Sequence, residues 1–389
     1  MTDRSRPPRI LHVAETVRGG IATYLNELHR HHAVALGEEN LAYVIPQDHK
    51  RDLDAVPDAS ITTFVRKGRD VSSMSGMAVS TCRAIRRFRP DVVHLHSTFS
   101  GILRPMLKLL FPRLAVVYCP HGWAFLRESS TASRVVTRTM ERLLAPLADR
   151  IVCISDCERR AALEAGIADR RLALIYNGMS NERPDYPAAE WSDERLKVLF
   201  IGRLDRQKGY DILLEAAADL QTEVHLRMIG STVVGREQAL EHPANVEMLG
   251  WQSPQIIEAQ LDAADLVVIP SRWEGFGLVA LEAMRARRPI VAFAVGALPE
   301  IVEDGVTGIL CSPPGAEALV AGLKRALDMP LRPMGEAGFQ RFRRLFLVDT
   351  MQIKLQELYR ETSPAHEPAS HSAANVSADA RNPARNAAR

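Results

Sequence analysis

Residues 264–287 constrain the rest of the chain. Ala264-Asp-Leu-Val-Val-Ile-Pro270 is a short apolar run closed by a proline, which reads as a buried strand. Residues 278–287 lack Gly and Pro and are rich in Leu, Ala, Glu and Met, which reads as a helix. Between them lies Glu274-Gly-Phe-Gly277. A strand, a glycine turn and a helix start present unpaired backbone N–H groups and the positive end of the helix dipole, both suited to a phosphate. Glu274 and Glu282 flank this start. Carboxylates repel phosphate but accept hydrogen bonds from hydroxyls. The combination asks for a ligand with both a phosphate and a hydroxyl-rich part, that is, a nucleotide-sugar.

The same unit opens each half of the chain. In the first half, an apolar strand from Arg9 to Ala14 runs into Glu15-Thr-Val-Arg-Gly-Gly20 and then a helix over 21–31. In the second, a strand over 196–201 runs into Gly202-Arg-Leu-Asp-Arg-Gln-Lys-Gly209 and then a helix over 210–220. Further strands are predicted at 41–46, 61–65, 90–97, 114–119, 150–155, 172–176, 224–230, 245–249 and 289–293. Helices are predicted at 75–88, 101–114, 134–147 and 317–327. At 389 residues the chain exceeds one typical core. Alternating strands and helices in both halves predict an α/β protein of two Rossmann-like, doubly wound domains. The expected division is an N-terminal domain over 1–179, a Pro- and charge-rich linker over 180–195 and a C-terminal domain over 196–338. A helix over 339–362 with apolar residues at helical spacing follows, then a disordered tail over 363–389 made of Pro, Ala, Ser, Asn and Arg.

Composition limits the function classes. No run of about 18 apolar residues occurs, so no membrane-spanning helix is expected. The first nine residues lead straight into a strand without a secretory h-region. Cys82, Cys119, Cys153, Cys157 and Cys311 are scattered and odd in number, as in a reducing cytoplasm. The net charge of +2 is uneven. Residues 1–180 hold 26 Lys/Arg against 18 Asp/Glu, and the remainder 23 against 29. A basic first half points to an anionic partner on that side, such as a membrane surface or a lipid diphosphate. Residues 101–114 add Arg104, Lys108 and Arg113 among apolar side chains, a segment that either touches a membrane or packs on the sheet.

Several residues are chemical candidates. Arg203 and Lys208 are two cations on one loop at a strand's carboxyl end, matched to a diphosphate. His121 follows a central strand, at the edge where open α/β sheets bind ligands. Gly19 and Gly20 allow close approach to the first helix, but Gly-x-Gly-x-x-Gly is missing, so a nicotinamide fingerprint is not supported. Asp52-Leu53-Asp54 has the metal–nucleotide pattern of another fold but no strand ends at it, and it reads as a plain loop. His94 and His96 share a strand face. With no third ligand near in sequence, they read as acceptor-side or structural rather than metal-binding. Ser155 and Glu158 have the spacing of a capping box.

These motifs together resemble the retaining glycosyltransferases of the GT-B fold, family 4. Glu274 and Glu282 have the family's Glu-x7-Glu spacing. Gly202-Arg-x4-Lys-Gly209 resembles its phosphate loop, Gly19-Gly20 its N-terminal glycine loop, and His121 its histidine near the donor sugar. Asn177-Gly178 and residues 296–308 resemble its later motifs, and the likeness spans about 9–360. The resemblance implies two domains facing a central cleft, with the donor bound mainly by the second and the acceptor by the first. It implies Glu274 on the sugar hydroxyls, Glu282 on the ribose, and Arg203, Lys208 and the N–H groups of Gly275, Phe276, Gly277 and Leu278 on the diphosphate. It further implies His121 near the anomeric carbon, transfer with retention, and no metal or other cofactor. A UDP-sugar is the expected donor, with GDP-mannose as the rival. The expected acceptor is a glycan, free or on a polyprenyl diphosphate, at the inner face of the cytoplasmic membrane, with no nucleic-acid partner. A sugar-nucleotide epimerase or phosphorylase and a two-domain sugar-binding protein are the alternatives; the chain lacks a pyridoxal-phosphate lysine motif and an export signal.

Overall fold

The structure is a computed structural model that describes residues 6–363 except 69, 184–185 and 232–240. The first sheet holds seven strands: β1 (Ile10–Ala14), β2 (Leu41–Pro46), β3 (Ile61–Phe64), β4 (Val92–His96), β5 (Ala115–Cys119), β6 (Arg150–Cys153) and β7 (Leu172–Leu174). Their order is β3-β2-β1-β4-β5-β6-β7, all parallel. The second sheet holds β8 (Leu196–Ile201), β9 (Val224–Ile229), β10 (Val246–Gly250), β11 (Leu266–Ile269), β12 (Ile290–Phe293) and β13 (Gly308–Cys311), in the order β10-β9-β8-β11-β12-β13. Strands with all five residues buried, as in β1, β4 and β5, are covered on both faces, which is why they read as apolar runs broken only by His12, His94 and His96.

Both sheets reverse direction of winding beside their first strand, between β1 and β4 and between β8 and β11. At such a switch point the loops leaving the two strands diverge and open a crevice at the carboxyl edge. The turn at Gly19 leaves β1, and His96–Ser97 ends β4. The Gly202–Gly209 loop leaves β8, and the Glu274 turn leaves β11. The two crevices face each other across a cleft of about 2590 Å³.

Four expectations change. Residues 339–362, expected as one helix, belong to two. Leu331–Leu345 packs on the second domain against the helix Leu278–Arg285, and Val348–Thr362 packs on the first domain against the helix Gly20–Leu36. The break at Phe346–Leu347 lies where Leu347 bridges Met179, so the chain changes domain there. Ser363, placed in the tail, is buried; the rest of the expected tail, 364–389, lies outside the described residues. The helix Pro254–Ala263, which Ser253 caps ahead of Pro254 in the first turn, and the strand β13 add to the expected elements.

Arg104 is the fourth. The segment around it is the helix Arg104–Leu110, but Arg104 is fully buried and not on an outer face. Its guanidinium lies 2.6 Å from Glu141, donates to Gly101 O at 2.7 Å and sits 4.1 Å from the Tyr118 ring centroid. Tyr118 OH donates to the other Glu141 oxygen at 2.7 Å. Burial of both charges is possible because each has several partners.

Candidate active site

The helix Leu278–Arg285 begins at Gly277, whose φ of 100° is left-handed and favours glycine. Its ring buried against Tyr176 and Phe346, Phe276 has only its backbone to offer a ligand. Gly275 meets the other domain. A Cβ there would come within 3.2 Å of Gly122 Cα and 3.5 Å of His121 O, so glycine is what lets the two backbones approach. Ser155 Oγ donates to Gly275 O at 3.4 Å, and Glu300 accepts from the N–H groups of Asp156 and Cys157 at 2.8 and 2.7 Å. Arg206 pairs with Glu128 at 2.9 Å. These contacts tie one wall of the cleft to the other.

Glu274 is coupled to the cation loop. Its Oε2 accepts from Lys208 Nζ at 2.6 Å and from Ser271 Oγ at 3.1 Å. Arg203, half exposed, contacts Gln207 Oε1 at 2.7 Å and Asp205 at 3.0 Å on its own loop. Asp205 caps the loop's short turn by accepting from Lys208 N, which orients the lysine. Glu282 lies one helical turn below the helix start and lines the cleft. Its carboxylate accepts no protein hydrogen bond among the described residues. Burial raises its pKa, against the opposing pull of Arg285 and in concert with Glu258.

Across the cleft, His121 stands at a left-handed φ of 49° immediately after β5. Its Nε2 is 3.0 Å from His96 Nδ1, which leaves Nδ1 for a ligand. Burial lowers its pKa to about 3, so the ring is neutral in ordinary buffers. Gly19 and Gly20 line the same cleft, and a Cβ on Gly20 would stand 3.4 Å from Leu278 of the other domain. All of His121, Arg203, Lys208, Glu274–Leu278 and Glu282 border this one cavity.

Three features are not legible in the sequence. Ser271 fixes Glu274, but a serine before the turn has no distinctive sequence context. Ser155 caps its helix as expected, yet Glu158 accepts from Ile154 N rather than Ser155 N, and burial pushes its carboxyl up to about 8. The third is His12. The reading of His94 and His96 as lacking a third partner is corrected, because β1 places His12 in register with His94. Of Asp52-Leu53-Asp54, Leu53 is buried in the core while Asp52 faces Arg18 at 4.0 Å and Asp54 faces Arg30 at 3.4 Å.

Comparison with known proteins agrees with this geometry. The family "Glycosyltransferase Family 4" matches residues 18–183, and "Glycosyl transferases group 1" matches residues 183–341. An uncharacterized 41.2 kDa protein in the cps region of Klebsiella pneumoniae is 33% identical over 314 residues, 77% of this chain and 85% of its own length. D-inositol 3-phosphate glycosyltransferase of Corynebacterium aurimucosum is 28% identical over 72% of this chain and 74% of its own length. Among solved structures, sucrose-phosphate synthase from Thermosynechococcus elongatus aligns with a TM-score of 0.75 at 22% identity, covering 90% of this chain and 98% of its own. Anabaena HepE, solved in complex with UDP and glucose, aligns with a TM-score of 0.74 at 19% identity, covering 90% and 99%. With two facing Rossmann-like domains, a cation loop and a paired glutamate turn in one cleft, the chain belongs to glycosyltransferase family 4 and has the GT-B fold.

Proposed function

We propose that the chain transfers a sugar from a nucleoside-diphosphate sugar, a UDP-sugar first among them, to a hydroxyl of a glycan or lipid-linked glycan, with retention of configuration. The observation that carries this is the pairing of Lys208 with Glu274 at the start of the helix Leu278–Arg285. One site then holds a cation for the leaving diphosphate and a carboxylate for the sugar. Arg203, Lys208 and the N–H groups following Gly275 stabilise the charge that develops as the glycosidic bond breaks. Glu274 orients the sugar hydroxyls, and Glu282 accepts from the ribose. Held neutral by burial, His121 acts as a hydrogen-bonding group beside the anomeric carbon rather than as a proton donor. The leaving phosphate takes the acceptor's proton on the same face. Because protein cations meet the diphosphate charge, no metal takes part in the transfer.

HepE, a structural neighbour, has also been solved with UDP-glucose, which favours UDP over GDP-mannose. The Klebsiella relative's place in a cps region favours a role in polysaccharide synthesis. Release of the nucleoside diphosphate from UDP-glucose, UDP-galactose or GDP-mannose, on addition of acceptor and in excess EDTA, tests the reading. Transfer that vanishes in chelator and returns with Mn²⁺ refutes the metal-free mechanism. A donor that is bound but never turned over with any lipid-linked glycan favours the binding-protein alternative.

The first domain supports docking to an anionic bilayer. No helix among the described residues is long and apolar enough to cross a membrane. The helix Thr131–Leu144 exposes Val135, Val136 and Leu143 beside Arg134, Arg138 and Arg142. The neighbouring helix exposes Leu109 and Leu110. Exposed apolar residues among cations suit the interfacial depth of an anionic membrane, and the location fits a peripheral protein on the cytoplasmic face. Cosedimentation with anionic vesicles at low salt, falling at high salt, is the expected result. Equal binding to neutral vesicles counts against it.

A further inference from the structure

One face of the first sheet carries histidines that sugar transfer does not use. His12 on β1 and His94 on β4 are register partners, and His96 lies two residues further along the same face. All three are fully buried. His12 Nδ1 and His96 Nε2 are 3.0 Å apart, and the His94 and His96 ring centroids are 4.0 Å apart. One ring nitrogen from each lies within 4.8 Å of the other two. From this clustering we infer that His12, His94 and His96 form a buried site for a late first-row transition-metal ion, with Zn²⁺ and Cu⁺ as the candidates.

Three observations support the site. The first is the donor set: three imidazoles with no carboxylate among them suit Zn²⁺ or Cu⁺ and not Mg²⁺ or Ca²⁺. The second is orientation. His94 Nδ1 is 2.7 Å from Tyr359 OH, and His96 Nδ1 is 3.0 Å from His121 Nε2. A metal-binding histidine is held in this way by a partner on its other nitrogen, and here both partners leave Nε2 facing the cluster, where His96 Nε2 meets His12 Nδ1. The third is the unmet need of one ring. His94 Nε2 has no protein hydrogen-bond partner among the described residues, although the side chain is wholly buried. Leaving such a nitrogen unpaired in the core is unfavourable. The 3.0 Å His12–His96 separation is also near the edge, about 3.3 Å, of a tetrahedron of nitrogens around zinc. Rotation of the rings closes the wider separations.

An ion here does not reach the reacting atoms. It ties β1 to β4, and through Tyr359 it ties both to the helix Val348–Thr362, which enters the first domain after the crossing. Through His96 it also holds the ring of His121. The inference is independent of the proposed transfer, because it is read by metal content and not by activity. A buried structural ion is compatible with transfer that persists in EDTA.

The test uses the full chain without a histidine tag, produced with Zn²⁺ or, separately, with copper under reducing conditions, and then dialysed. Elemental analysis is expected to give about one ion per chain, with an X-ray absorption spectrum that shows imidazole ligation. His94→Phe is expected to lose the ion. Since that variant can fail to fold, Tyr359→Phe serves as the second. It keeps all three ligands and is expected to bind the ion about 10- to 100-fold more weakly. Wild-type protein with less than about a tenth of an ion per chain under both conditions overturns the site, as does a sulfur- or oxygen-dominated spectrum. Unchanged metal affinity in Tyr359→Phe overturns the orienting role of the tyrosine.

Discussion

Replacing Glu274 by glutamine separates two effects that point in opposite directions. Glutamine keeps the shape and one acceptor oxygen but removes the charge. In the structure that charge sits 2.6 Å from Lys208 Nζ, with Ser271 Oγ at 3.1 Å from the same oxygen. Lys208 and Glu274 are both largely withdrawn from solvent, with side chains 20% and 10% exposed, so their contact is poorly screened. The lysine that should meet the diphosphate is therefore held by the carboxylate that should meet the sugar. Removing the carboxylate frees the lysine, and nucleoside-diphosphate binding is expected to stay level or tighten, by up to about tenfold. The sugar loses a charge-assisted hydrogen bond worth about 1.5–3 kcal/mol, so kcat is expected to fall about 10- to 100-fold. Isothermal titration with UDP and GDP gives the first quantity, and steady-state transfer with varied donor gives the second, with circular dichroism as a check on folding. Weaker nucleotide binding with unchanged kcat would falsify the assignment of Glu274 to the sugar. Wild-type values in both assays would remove Glu274 from the site altogether.

Other variants probe separate parts of the design. Glu282→Gln is expected to raise donor KM about 10- to 100-fold with little change in kcat, because a ribose contact is the same in ground and transition states. Burial raises the Glu282 pKa, and the ribose hydroxyls prefer the carboxylate, so below that raised pKa donor binding releases a proton. Wild-type donor affinity should therefore rise with pH until the group's raised pKa is passed, and then level off. The Glu282→Gln enzyme lacks this titration, and an identical pH profile in the variant counts against the role. Arg104→Met strands Glu141 in the core with Tyr118 alone, for an expected loss of about 3–5 kcal/mol in a denaturant melt. Adding Glu141→Leu should restore most of it, and a single variant as stable as wild type would show that the pair is not what holds this helix contact.

The sequence alone made the local units legible: each apolar strand, the glycine turn after it and the helix beyond. That is because strand burial, left-handed turns and helix starts depend on residues a few positions apart. It therefore located Gly202–Gly209, His121 and Glu274–Leu278 at strand ends, where an α/β sheet exposes its loops. Short elements gave weaker signals. Strand β13 is only Gly308-Ile-Leu-Cys311, too brief for periodicity to separate from a loop. The pairings arise only in the folded chain. Lys208 reaches Glu274 across 66 residues, and His12 reaches His96 across 84. Arg104, which looks like a surface cation in its own segment, is neutralised by Glu141 from the next long helix. Such partners meet only when crossovers bring strands into register, because side-chain electrostatics and ligation act over a few ångströms of space and carry no trace in the spacing along the chain.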